Sequence, residues 1–261
     1  MRLVTGFSRG NGRGPNLDRW VVTDGWAAVF DGVTPRGTDL DVTTAATVAL
    51  VDDLVRAVEA AAADLEPLAM VERLTETTAA HQGAQRPSAA AVVFSLTARR
   101  VVVVGDGWVG VDGAARFYDH RFESVVTEAR RAVTQAALAA GRSVDELRRD
   151  DPGRRAVHDL LVGEAELRNV DADGPYFYSC LDGRPVPRRH LAVVDVPAGA
   201  RSLCLASDGY PVLAETWQES ERALFADIEA DPLRIGRHAG TKALAPGAET
   251  FDDRTFLLLE L

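Results

Sequence analysis

The chain has 261 residues, 46% of them hydrophobic and 26% charged, values of an ordinary globular protein with a core of normal size; a layered fold of this length is expected to form one domain spanning residues 1–261. Its formal net charge of −10 argues against a nucleic-acid partner, which needs a basic footprint, yet aspartates that hold cations can still attract phosphate. Apolar runs such as 101–104 are far too short for a membrane span, and the Met1-Arg2-Leu3-Val4-Thr5-Gly6 start has no signal region, so a cytoplasmic address is expected.

Near the N-terminus two β-rich runs, 20–23 and 26–30, flank Asp24-Gly25. Such a pair predicts a hairpin with a type I′ turn, whose central residues both need positive φ. The second strand ends at Asp31-Gly32. Val51, Leu54, Val55, Val58, Ala62 and Leu65 then recur at helical spacing, with Asp52, Arg56 and Glu59 on another face. Pro67 breaks this pattern, and Leu68, Val71 and Leu74 open a second helix. Strands are predicted over 89–97 and 100–111 with a tight turn near Ala98-Arg99, followed by a short strand over 115–118.

Phe122, Val125, Ala129, Ala132, Val133, Ala136 and Ala140 make an amphipathic helix closed by Gly141. Ser143 and Glu146 have capping-box spacing, and Asp151-Pro152 reads as an N-cap followed by proline at the first helical position. The last third returns to strands over 176–181, 191–196, 202–206 and 255–261. Hairpin connections dominate and strand and helix do not alternate. The pattern predicts an α+β protein in which antiparallel sheet carries helices stacked outside it.

Chemistry concentrates in aspartates at strand ends. Asp31-Gly32 and Asp208-Gly209 follow apolar β-runs with no second strand in hairpin register, Asp106 lies between Gly105 and Gly107, and Asp252-Asp253 precedes the final strand. Carboxylates converging at one sheet edge form an oxygen-rich site suited to Mg2+ or Mn2+. The five histidines show no pair at ligand spacing, against a histidine zinc site, and no role is expected of them. Cys180 and Cys204 are too few for a disulfide framework and sit among apolar or aromatic neighbours, as buried thiols do.

Taken in order, Arg13-Gly14-Pro15-Asn16-Leu17-Asp18, Val29-Phe30-Asp31-Gly32, Ser88-Ala89-Ala90-Ala91 leading to Val104-Gly105-Asp106-Gly107, Leu205-Ala206-Ser207-Asp208-Gly209 and Asp252-Asp253-Arg254-Thr255 resemble the successive signature blocks of the protein phosphatase 2C family. The resemblance implies a four-layer α-β-β-α sandwich, two antiparallel sheets packed face to face with helices outside. It implies hydrolysis of phosphate monoesters, above all phosphoserine and phosphothreonine in proteins, at two Mg2+ or Mn2+ ions about 3.5–4 Å apart that activate a water. Asp31 would bridge the two ions with the Gly32 carbonyl on one; Asp208 and Asp252 would complete the other, Asp252 being favoured over its neighbour Asp253. Asp106 would hold a third, weaker ion, Arg13 would clamp the phosphate, and Asp18 would orient a water.

The sequence departs from the family at two places. Leu17 stands where a metal-binding glutamate usually precedes the aspartate, and Val33-Thr34-Pro35-Arg36-Gly37 replaces a glycine-rich turn with a histidine. A pseudophosphatase acting as a binding module is therefore the alternative, as is hydrolysis of a small phosphorylated metabolite. A haloacid-dehalogenase-type site fails because Val33 takes the place of its second aspartate.

Overall fold

The computed structural model of the chain describes residues 1–33, 40–83 and 85–261; the 34–37 part of the departure after Gly32 lies outside them. Two five-stranded antiparallel sheets form the centre. The first has the order β2 (Asp18–Val22), β3 (Trp26–Gly32), β4 (Ala89–Ser95), β5 (Arg100–Val104) and β8 (Ala192–Asp195). The second runs β1 (Arg2–Arg9), β10 (Arg254–Glu260), β9 (Ser202–Ala206), β6 (Gly107–Val111) and β7 (Ala114–Tyr118).

Period-two alternation sorts the side chains into layers. Ala27 and Val29 of β3 face inward against Leu203 and Leu205 of β9 and Leu257 and Leu259 of β10. Trp26, Ala28 and Phe30 point the other way, onto α1 (Leu40–Glu59) and α2 (Pro67–Ala80), where they meet Leu50, Leu54 and Leu74. On the far face of the second sheet, Cys204, Ala206 and Phe256 pack with Leu224 of α7 (Trp217–Ala230). Each fully buried aliphatic or aromatic side chain in these layers contributes about 1.5–3 kcal/mol. The result is the α+β architecture expected from the strand pattern, in the sandwich form that the family resemblance implies. Between β7 and β8 the chain builds α3 (Arg121–Ala139), α4 (Val144–Arg149), α5 (Pro152–Ala156) and α6 (His158–Gly163). Their own apolar cluster is Phe122, Val126, Val157 and Leu161. The capping box of Ser143 and Glu146, the Asp151 cap and the positive φ of Gly141 all form as predicted.

Several expectations are corrected. The run 100–111 is two strands, β5 and β6, in different sheets, because Gly105 (φ +84) and Gly107 (φ +148) break the extended chain around Asp106. The 23–26 turn has no positive φ; the Thr23 hydroxyl closes it by accepting from the Trp26 N–H at 3.0 Å. Gly25 is there for space, since a Cβ would lie 2.5 Å from Ala63 Cα. The first helix ends at Glu59, short of Ala62 and Leu65, and Pro67 begins α2 as its first residue. The run 176–181 makes only single bridges at Tyr178 and Leu181, as its polar backbone pairs with side chains such as Asn169. Strand β1 and helix α7 were not anticipated at all.

Candidate active site

The sandwich topology carries the aspartates to one end of the two sheets. Asp18 opens β2 and lies directly across from Asp31 near the end of β3. Asp106 occupies the step from β5 to β6, Asp208 lies two residues beyond β9, and Asp252 two residues before β10. Asp31, Asp106, Asp208 and Asp252 line one cavity of about 120 Å3 together with His120, Glu123 and Lys242. Gly32 must be glycine: a Cβ there would lie 2.8 Å from the Leu17 carbonyl oxygen and 2.7 Å from Thr47 Cγ2.

The electrostatics of this cluster are lopsided. Burial first, and then the charges of Asp18, Asp208, Asp252 and Asp106, push the Asp31 carboxyl well above the usual range. Asp18 is raised by burial and by Asp253, Asp208 and Asp252, against the Ser207 hydroxyl, which donates to its Oδ2 at 2.6 Å. Its Oδ1 is buried with no hydrogen-bond partner among the described residues. Asp106 is raised by burial, Asp208 and Glu123. Asp208, within hydrogen-bonding reach of Asp31, is raised by burial and Asp252, with Arg234 and Lys242 opposing. Glu123 is pushed up to about 7 by burial and by Asp208. Carboxylates packed this way either take up protons or share cations, and oxygen donors in this number fit a hard divalent ion.

The two adjacent aspartates divide. Asp253 is a strut: its carboxylate accepts from the N–H groups of Leu17 at 2.7 Å and Asn11 at 2.8 Å. Asp252 faces the cavity and meets the Lys242 ammonium at 2.5 Å. Arg13 does not line the cavity; its side chain is exposed, on a loop where the Asn11 side chain holds its N–H at 2.9 Å. Leu17 is buried and places no charge near the cluster.

The structure also brings to the cavity residues outside the strand-end pattern. His120, Glu123 and Asp106 offer ligand atoms that all lie within 4.8 Å of one another, which sets one histidine beside the acidic cavity. Glu123 lies in the first turn of α3, while His120 is the extended residue just before the helix, so no helical spacing marks the pair. The His120 ring stacks on Tyr178 with centroids 3.9 Å apart. Tyr178 donates to Glu164 at 2.7 Å and accepts from Arg168 at 2.9 Å, so a buried polar network walls the cavity.

A cluster of buried and partly buried acids at the end of a five-plus-five-stranded sandwich defines a candidate cation-dependent centre. No protein-family model and no curated protein matches the sequence. Among solved structures, the serine/threonine phosphatase Stp1 from Staphylococcus aureus aligns over 100% of this chain and 96% of its own, at 15% identity and a TM-score of 0.51. A bacterial serine phosphatase aligns over 99% and 98%, at 14% identity and a TM-score of 0.50. The catalytic domain of the serine threonine protein phosphatase PstP, solved in complex with two manganese ions, aligns over 98% and 98% at 15% identity and a TM-score of 0.49. The chain therefore has the protein phosphatase 2C fold.

Proposed function

We propose that the protein hydrolyses phosphate monoesters with divalent cations, Mg2+ or Mn2+, held at the Asp31, Asp208 and Asp252 carboxylates, with phosphoserine and phosphothreonine in proteins as the substrate class. The observation that carries this reading is the convergence of acids whose mutual repulsion the described basic groups do not balance, including the buried, unpartnered Oδ1 of Asp18. Cations bound there supply charge neutralisation on a phosphoryl group and Lewis-acid activation of water.

The chain's own residues take the remaining tasks. The Gly32 carbonyl adds a neutral oxygen donor beside Asp31. Asp18, oriented by Ser207, offers its Oδ1 to an attacking water, and Asp106 with Glu123 and His120 provides a further cation position. Arg13 is the phosphate-binding residue of this reading, and Asp253 anchors its loop through Asn11. Leu17 favours a second reading, a phosphate-binding module without turnover, because a buried leucine adds no ligand beside Asp18.

The test is hydrolysis of an aryl phosphate with Mn2+, with Mg2+ and with chelator, alongside Asp208→Asn. Turnover that needs metal and is lost in the variant supports the enzyme. Folded protein that binds phosphate but turns over nothing with any metal supports the binding module.

A further inference from the structure

The chain contains 29 lysines and arginines, and only one of them, Lys242, is a lysine. That residue lines the acidic cavity and sets its ammonium 2.5 Å from Asp252, with both side chains largely enclosed (26% and 22% exposed). Arginine makes most of the ion pairs elsewhere, for example Arg19 with Asp52 and Arg100 with Asp195. The two side chains differ in a way that matters here. A guanidinium is a planar fork that locks onto a carboxylate, whereas an ammonium is a compact point charge on a flexible stem, able to stand among carboxylates and to withdraw.

The backbone that presents Lys242 is fixed on both sides. The Gly240 carbonyl accepts from Arg130 at 2.8 Å and the Thr241 carbonyl from Arg154 at 2.7 Å. Beyond the lysine, the Leu244 N–H donates to the Pro232 carbonyl at 2.8 Å. These bonds hold the backbone on either side of Lys242, and the four-carbon stem carries the ammonium from there.

We infer that Lys242 is a tethered cation of the acidic centre, which holds Asp252 when metal is scarce and must be displaced for a divalent ion to take the Asp208–Asp252 position. This rests on the cation-binding reading above and adds a competitor to it. Metal uptake at that position then exchanges one cation for another instead of filling bare carboxylates. The ammonium keeps the end of the sandwich from being driven apart by its own acids, and it sets a threshold of metal concentration below which that position stays closed.

Mn2+ binding measured by calorimetry on the whole chain tests this, with Lys242→Met, Lys242→Arg and Asp208→Asn as variants. Removing the ammonium is expected to tighten Mn2+ at one position at least tenfold, while the arginine variant binds no more tightly than the parent. Thermal unfolding gives a second readout that does not depend on turnover. Lys242→Met should melt below the parent in chelator and regain the parent's midpoint in saturating Mn2+, since ligand binding stabilises by mass action. Equal Mn2+ affinity in the parent and Lys242→Met, with binding still weakened in Asp208→Asn, overturns the lysine's role and leaves the metal reading standing. No Mn2+ binding by any of these proteins overturns both.

Discussion

Replacing Arg130 with methionine removes a guanidinium that is completely buried on α3 and ties three segments together. Its Nε and one terminal nitrogen reach Asp151 Oδ2 at 3.0 and 2.8 Å. The remaining donors meet the carbonyls of Leu233 at 2.7 Å, Gly240 at 2.8 Å and Arg234 at 3.2 Å. Methionine matches much of the stem's volume, so the loss falls on the polar partners. Asp151 also caps α5 through its other oxygen, which accepts from the Arg154 N–H at 2.8 Å. A largely enclosed carboxylate left without its cation, with three carbonyls short of a donor, is expected to cost about 3–5 kcal/mol. Urea unfolding followed by far-ultraviolet circular dichroism in chelator measures it. Arg130→Lys, which keeps the charge but cannot span all four acceptors, should fall between parent and methionine. A loss below about 1 kcal/mol in Arg130→Met would refute the reasoning, since that is the size of a single ordinary hydrogen bond.

Other outcomes follow from the acidic end of the sandwich. The raised carboxyls hold protons more tightly folded than unfolded, so metal-free stability should fall as pH rises through the window from ordinary carboxylate values to the raised ones, for Glu123 from 4.5 to about 7. Melting curves in chelator should show that slope and saturating Mn2+ should flatten it; a metal-free profile that rises with pH contradicts the clustering. Ser207→Ala leaves both the Thr255 N–H, which donates to its hydroxyl at 2.9 Å, and Asp18 Oδ2 unserved. A loss of about 1–3 kcal/mol in denaturant is expected from such buried groups. Gly209→Ala would set a Cβ 2.1 Å from the Asp253 carbonyl oxygen. Because backbone cannot yield as a side chain does, the cost should be about 3 kcal/mol or a failure to accumulate as soluble protein, and a stability equal to the parent would show that this corner relaxes.

What the sequence revealed depended on whether the signal was local. The pairing of β2 with β3, the ends of α3 and the caps of α4 and α5 follow from neighbouring residues, and these were legible. The division of 100–111 between two sheets was not, because Val101 to Val104 and the residues after Gly107 have the same β character, and only the tertiary partners differ. β1 was missed because its side chains are mostly exposed and supply no alternation. At the site, aspartates at strand ends could be picked out one by one, and the structure gathers Asp31, Asp106, Asp208 and Asp252 at one cavity. Lys242 and Glu123 arrive from segments far away in the chain, through packing of α3 and the 231–244 loop, which no short pattern encodes. Arg13 was picked out for its chemistry, and the structure leaves it exposed and outside the cavity lining.

Two residues, Gly105 and Asp106, carry the chain from one sheet to the other, leaving no slack between layers. Sliding one sheet over the other by a single residue's rise, about 3.3 Å, would have to unpair β5 or β6. Asp106 thus behaves like a rivet: its position and the alignment of the layers are one variable. Insertions in the hairpin ends are absorbed by the loop that receives them, but a residue added at this step would loosen the whole stack and the acidic end with it.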